Sequence, residues 1–194
     1  MYNIKNFKKI SSTNAFAKES LDKLNHFDVI SADMQDKGHG QFERYWYSTD
    51  KNGGNCYVTI VLKPKNLQNL DKLTQYASLK VGETLEKYGL EVEYKYPNDV
   101  LIKGKKISGI LAQSIFQGNT FKGVVVGIGV NLNLNEKDLE QIDIPATSIF
   151  NETNKKINKV EFVTCLLDNF YGSFENFISD KTEGDILCYH YPRK

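Results

Sequence analysis

The chain has 194 residues, 40% of them hydrophobic, which suits a single domain with a sizeable core. Its 25 basic and 24 acidic residues leave a net charge of +1, a balance that argues against a dedicated nucleic-acid binder. No apolar run has the length of a membrane span, the N-terminal stretch lacks an apolar signal core, and Cys56, Cys165 and Cys188 are too dispersed for a disulfide framework or a paired zinc site.

The cysteines read as buried small hydrophobes and imply a reducing, cytoplasmic setting. His26, His39 and His190 show no metal-ligand spacing. Ser11-Ser12-Thr13-Asn14 opens a first helix by offering hydroxyl caps, and Ala17, Leu21 and Leu24 then share a face. Phe27 to Ala32 reads as a strand. Asp33 to Asn55 reads as a long polar loop, and long loops inside a domain are often functional. Cys56 to Leu62 is a β-branched strand. Asn66 to Tyr88 predicts a helix with an apolar stripe of Leu67, Leu70, Leu73, Ala77, Val81 and Leu85, stopped by Gly89. Strands follow at Val92 to Tyr96, Val100 to Ile102, Ile107 to Phe116 and Phe121 to Leu132, with turns at Lys103-Gly104-Lys105 and Gln117-Gly118-Asn119-Thr120. A short helix fits Glu136 to Ile142. A last helix from Lys159 to Ile178 carries Val160, Val163, Leu167, Phe170, Phe174 and Phe177. Hairpins beside a few helices indicate an α+β domain with a mixed, largely antiparallel sheet.

Three segments can carry chemistry. In Ala32 to Trp46, Gly38 and Gly40 flank His39, so backbone can approach a ligand, and Arg44 supplies a fixed positive charge. A surface loop over a buried Trp46 is the competing structural reading. In Tyr96-Pro97-Asn98-Asp99 to Leu111, an amide, a carboxylate, a lysine cluster and a glycine fall close together. Lys103 and Lys105 read as solvated turn lysines, whereas Lys106 begins an apolar strand and can point across a sheet face. Gly127-Ile128-Gly129-Val130-Asn131 ends a valine strand, where small residues permit close packing against a ligand or against the protein itself.

In order along the chain, Ser12-Thr13-Asn14, Gln35 with the Gly38–Trp46 loop, Tyr96-Pro97-Asn98-Asp99 with Lys106-Ile107-Ser108-Gly109-Ile110-Leu111, and Gly127-Ile128-Gly129-Val130-Asn131 resemble the motif series of biotin protein ligases. The Pro-Asn-Asp segment followed by Lys and Gly-Ile-Leu is the most specific element. The resemblance spans about Ile10 to Ile178. It implies an α+β catalytic domain related to class II aminoacyl-tRNA synthetases, filling residues 1–194 with a short C-terminal extension from Ser179.

The resemblance also implies roles. Ser12, Thr13, Asn14 and Gln35 contact biotin; their hydroxyls and amides suit the donors and acceptor of a ureido ring. Gly38, His39, Gly40 and Gln41 fold over biotin or its adenylate, with Arg44 near the phosphates. Tyr57 and Gly109 line the biotin pocket. Trp46, Asn98 and Asn131 lie on the ATP side. Lys106 touches both the biotin carboxylate and the phosphate, and Asp99 positions or deprotonates the acceptor lysine. Biotin carboxylate attacks the α-phosphate of ATP, and Lys106, Arg44 and Mg²⁺ offset the charge that gathers. An acceptor lysine, with a solution pKa of about 10.4, must then be neutral to attack the mixed anhydride. The implied partner is the biotin carboxyl carrier protein of acetyl-CoA carboxylase or another biotin-dependent carboxylase. Neither DNA nor a membrane is expected as a partner. A homodimer through a sheet edge is an expectation by analogy.

The loop departs from the family's usual Gly-Arg-Gly-Arg-x-Gly-Arg-x-Trp: His39 and Gln41 replace arginines, and Glu43 replaces a glycine. Two positive charges are lost or made pH-dependent, so a weaker hold on the adenylate is expected. No DNA-binding helix-turn-helix precedes Ser12, and Ser179 to Lys194 is too short for the β-barrel of many relatives. A non-regulatory catalytic domain is therefore expected, with Asp185 to Tyr191 as a final strand or frayed tail. Lipoate protein ligases share the chemistry and are the alternative; a non-catalytic binding relative is a second.

Overall fold

The computed structural model describes residues 3–41, 44–49 and 53–179; the expectations for Glu43, Cys188, His190 and Asp185 to Tyr191 lie outside the described residues. Seven strands make one sheet in the order β1-β2-β3-β7-β6-β5-β4. They are β1 Ile4–Ile10, β2 Val29–Gln35, β3 Asn55–Leu62, β4 Glu93–Lys95, β5 Asp99–Ile102, β6 Lys105–Gln117 and β7 Thr120–Asn131. β1 and β2 run parallel, and the other neighbouring pairs run antiparallel. The helices are α1 Thr13–Glu19, α2 Leu73–Glu86, α3 Glu136–Leu139, α4 Ile149–Thr153 and α5 Lys159–Ser179. The α+β expectation with a mixed, largely antiparallel sheet holds. Among the described residues no helix is long and apolar enough to cross a membrane.

Strand periodicity divides the sheet into two unlike faces. Cys56, Val58, Ile60 and Leu62 of β3 and Val124, Val126, Ile128 and Val130 of β7 belong to the main core. There they meet Leu73, Tyr76, Ala77, Val81 and Leu85 of α2 and Phe162, Leu166, Phe170, Phe174 and Phe177 of α5. Burying each such side chain is worth about 1.5–3 kcal/mol, which accounts for the two long helices lying on this side. The intervening residues face the other way. Ile30, Val61 and Val125 pack there beneath Ala17 and Leu21 of the α1 region. Further along the same face come Tyr57, Thr59, Gly127, Gly129 and Asn131.

Several sequence expectations need correction. β1 was not expected: its pattern is mostly exposed, so no buried alternation marks it, and its pairing with β2 supplies the stabilising bonds. The Asp33–Asn55 loop is shorter, since β2 runs to Gln35. The helix from Asn66 begins as a helix of α type only at Leu73, after a 3-10 turn at Leu70–Lys72; Leu67, in the expected stripe, is 43% exposed. Val160 is 73% exposed because it sits in the first turn of α5, ahead of the core contacts. α4 was not expected, although Ser148 caps it through a bond from Asn151 N–H at 3.0 Å. Cys165 is only partly buried, with Lys87 Nζ 3.2 Å from its Sγ, so it is not simply a core hydrophobe.

Candidate active site

The register across the sheet builds the site floor. Tyr57 pairs with Gly129, Gly129 with Gly109, and Gly109 with Asp99, a single row across β3, β7, β6 and β5. The next row sets Thr59 against Gly127 and Gly127 against Leu111. Glycines thus occupy the centre of both rows, where a side chain would fill the surface. A Cβ at Gly127 would stand 2.3 Å from Asn14 Oδ1, and one at Gly129 would stand 2.8 Å from Trp46 Cε2. At Gly109 a Cβ would meet the same ring at 2.8 Å and Lys106 Cε at 3.1 Å. The glycines are therefore the seat of Trp46 and Asn14.

One end of the floor is a buried polar network. Ser12 caps α1, its Oγ accepting from Ala15 N–H at 3.4 Å. A seven-residue helix is too short to persist alone, so this cap and the sheet contacts hold it. Thr13 then donates twice to Gln35 Oε1, from its backbone N–H at 2.8 Å and its hydroxyl at 3.1 Å. Saturating that oxygen leaves the amide nitrogen toward Gly38, where a Cβ would lie 2.8 Å from Gln35 Nε2. Asn14 Nδ2 donates to Leu111 O at 3.2 Å and Gln113 Oε1 at 3.3 Å. Thr59, absent from the sequence expectations, joins these groups: its hydroxyl is 2.8 Å from Thr13 Oγ1 and 2.6 Å from Asn14 Oδ1. A lone threonine inside a β-branched strand gives no signal of such a role.

The other end is charged. Lys106 Nζ lies 2.6 Å from Asp99 Oδ1, each side chain 19% exposed, and 5.3 Å from the centre of the Trp46 ring. A register shift between Val100 and Leu101 matters here. Counting back in twos from Gly109 would put Ile107 on this face and turn Lys106 into the core. The bulge adds a residue, so Ile107 is buried in the core and Lys106 pairs with Leu101 on the site side. Lys103 is the solvated turn lysine expected from sequence, its side chain 79% exposed, and its Nζ also lies 3.1 Å from Glu152 Oε2. Lys103 and Gly104 both have positive φ, 50° and 72°, as a two-residue hairpin turn requires.

The Gly38–Trp46 loop folds back on itself. Gly40 N–H donates to Arg44 O at 2.8 Å and Trp46 N–H to Gly38 O at 2.9 Å, while His39 bridges Tyr45. Trp46 reaches the glycine floor with its Nε1 buried and without a hydrogen-bond partner among the described residues. Arg44 is exposed, and no described contact joins it to Lys106. Tyr57 OH and Asn55 Nδ2 both donate to Tyr47 O, at 3.1 and 3.2 Å, and so anchor the strand after the loop. Burial pushes the Tyr57 phenol up to about 12. On the far side, Asn98 Nδ2 donates to Ile110 O at 3.1 Å and Asn131 Nδ2 to Thr147 O at 2.9 Å. Their side chains are thus held by backbone, Asn131 pairing directly opposite Asn55.

A polar network stands at one end of a glycine floor that lies beneath an indole, and a shielded lysine–carboxylate pair stands at the other. A sequence model described as the Biotin/lipoate A/B protein ligase family matches residues 6–131, and the chain belongs to that family. A biotin--[acetyl-CoA-carboxylase] ligase of Paracoccus denitrificans is 31% identical over 172 residues, covering 84% of this chain and 69% of that protein. The bifunctional ligase/repressor BirA of Bacillus subtilis is 30% identical over 154 residues, covering 78% of this chain and 47% of its own length. The chain spans about half the length of the BirA relatives it matches. Among solved structures, the biotin protein ligase of Aquifex aeolicus in complex with biotin and ATP has a TM-score of 0.82 at 28% identity, over 98% of this chain and 78% of that one.

Proposed function

We propose that this domain activates biotin with ATP and transfers it to a lysine of a biotin carboxyl carrier protein. The observation that carries this reading is the shared floor. Thr13, Asn14 and Gln35 stand at one end of the glycine rows, and Lys106 with Asp99 stands at the other. Family membership and the ligand names of the Aquifex aeolicus structure support it.

The groups suit the two steps. Ser12, Thr13, Asn14 and Gln35 offer buried donors and acceptors for a ureido ring, with Tyr57, Gly109 and the Gly38–Gln41 segment as walls. Lys106 is close enough to the floor to meet a carboxylate and a phosphate at once. It now faces Asp99, so an arriving anion exchanges one negative partner for another in a partly dry site. Once Lys106 turns to the adenylate, the Asp99 carboxylate is free to accept a hydrogen bond from the incoming acceptor amine and orient it. Asn98, Asn131 and Trp46 line the nucleotide side, and Arg44 reaches the phosphates from the loop. No group of three or more His, Cys, Asp or Glu side chains among the described residues is placed to hold a metal ion. Mg²⁺ belongs to this reading as the ion that accompanies ATP. A cytoplasmic location goes with it, since ATP and carboxylase acceptors are found there.

Incubation with ATP, labelled biotin and a carboxyl-carrier domain tests the proposal. Label on the acceptor lysine and release of pyrophosphate are the expected results. Transfer of labelled lipoate in place of biotin, or no adenylate with either acid, overturns it.

A further inference from the structure

The segment between β7 and α4 comes back to the site and clasps Lys106. Lys106 N–H donates to Pro145 O, and Thr147 N–H donates to Lys106 O, each at 2.9 Å, so Ala146 bridges Lys106 as a one-residue parallel strand. Both backbone polar groups of the lysine are thereby taken by this strap. The carbonyl of Thr147 also accepts the Asn131 side chain at 2.9 Å. One short strap therefore touches two groups of the functional reading, Lys106 at the carboxylate and phosphate and Asn131 on the nucleotide side.

The strap has its own anchors. Ser148 Oγ donates to Leu134 O at 2.6 Å while capping α4, and Phe150 N–H donates to Leu132 O at 2.8 Å. Thr147 is fully buried. Its hydroxyl donates to Glu152 Oε1 at 2.7 Å and accepts from Asn151 Nδ2 at 3.2 Å. The Glu152 side chain is only 9% exposed, and its other oxygen takes Lys103 Nζ at 3.1 Å. Hiding a carboxylate is costly unless its oxygens are bonded. Burial alone would raise the Glu152 pKa, but the Thr147 hydroxyl, Lys103 and Lys105 outweigh it and hold the group below the usual carboxylate range. A helix already capped by Ser148 has no need of this buried charge for its own start.

We propose that Glu152 is a positioning residue of the reaction: by fixing the Thr147 hydroxyl it locks the Pro145–Ser148 strap, and the strap sets where Lys106 and Asn131 present their side chains. The inference rests on the reading of those two residues as substrate groups. It extends that reading to a carboxylate with no contact to the site itself.

Glu152→Ala, Glu152→Gln, Thr147→Val and the double variant Thr147→Val/Glu152→Ala, each in the full chain, form the test. Amide hydrogen exchange at Lys106 and Thr147 reads the strap without reference to activity. Biotinyl-adenylate formation, split into kcat and the KM for ATP, reads the site. In Glu152→Ala the two amides should exchange at least about ten-fold faster, and kcat/KM should fall about ten- to hundred-fold, as for a misplaced reacting group. Glu152→Gln, whose amide oxygen still accepts from Thr147, should recover most of that loss. The double variant should be no worse than the poorer single one. If Glu152→Ala does not fold, Glu152→Gln and Thr147→Val decide the matter by the same two readouts. Unchanged exchange, or kcat and KM within about two-fold of the original despite a lower Tm, makes Glu152 structural only and overturns the proposal. Additive losses in the double variant overturn it too. Faster exchange in a protein whose unaltered form makes no biotinyl-adenylate keeps the mechanical link and sinks the functional reading instead.

Discussion

Asp99 and Lys106 sit on neighbouring strands and meet at 2.6 Å beside the indole of Trp46. The pair exists because a bulge in β6 turns Lys106 to the site while Ile107 takes the core position. Its members serve different steps in the proposed reaction. Lys106→Ala should retain the fold, judged by circular dichroism, and lose about 10²–10³-fold in adenylate formation. Asp99→Asn should form adenylate and lose about 10²–10⁴-fold in transfer to the acceptor lysine. Single-turnover assays of each step separate the two, and equal losses in both steps for Asp99→Asn would contradict this division.

The seat of Trp46 makes a second prediction. Gly129→Ala places a methyl group where the ring lies, 2.8 Å from Cε2. Overpacking of this kind costs about 1–3 kcal/mol. Urea denaturation should show that loss. Since the chain has one tryptophan, the same variant should shift the emission of Trp46 directly. Unaltered emission would mean that the ring is not seated on the glycines in solution.

Thr59 is the third. Thr59→Val keeps the shape but leaves Asn14 Oδ1 and Thr13 Oγ1 without the shared hydroxyl. Leaving a buried polar group unpaired costs about 1–3 kcal/mol. Calorimetric titration should find weaker biotin binding, with the KM for ATP little altered. A change in ATP affinity alone would place Thr59 elsewhere in the mechanism.

For the loop, Gln41→Arg restores one positive charge that the family pattern carries. It should slow the release of adenylate, measured by trapping the product after a single turnover. Equal release rates in the two proteins would show that this position does not hold the adenylate.

The buried phenol of Tyr57 gives a pH prediction. Its folded pKa, about 12, stands above the ordinary value of 10.0. The folded state therefore keeps its proton when the unfolded chain has lost it. Stability is full below about pH 10 and falls as pH rises toward 12, by roughly 2–3 kcal/mol for this group. Cys56, whose thiol burial also pushes up to about 12, adds to the same decline. Tyr57→Phe should cost about 1 kcal/mol at neutral pH through the lost bond to Tyr47 O, and should flatten the alkaline fall in Tm. Parallel curves for the two proteins would show that Tyr57 is not the titrating group.

Much of this was legible in the residues themselves. Leu73, Ala77, Val81 and Leu85 announce one face of α2, and the valines of β7 announce a buried strand, because periodicity is a local property. The order of short motifs, from Ser12-Thr13-Asn14 to Gly127-Ile128-Gly129, was enough to suggest the family and most of the residues that the fold gathers around the glycine floor. Register and pairing were not legible. Nothing local says that Gly109 will lie opposite Gly129, that a bulge will turn Lys106 outward, or that Thr59 will stand beneath Asn14. β1 escaped notice because an exposed edge strand carries no alternation. Glu152 escaped because its partners, Thr147 and Lys103, lie on a strap and a hairpin turn that only tertiary pairing brings together. The sequence alone determined which side chains the domain owns and most of its helices and strands, β1 and α4 excepted. The tertiary structure decided which of those side chains share a face, since contacts between distant strands depend on a register that no local pattern encodes.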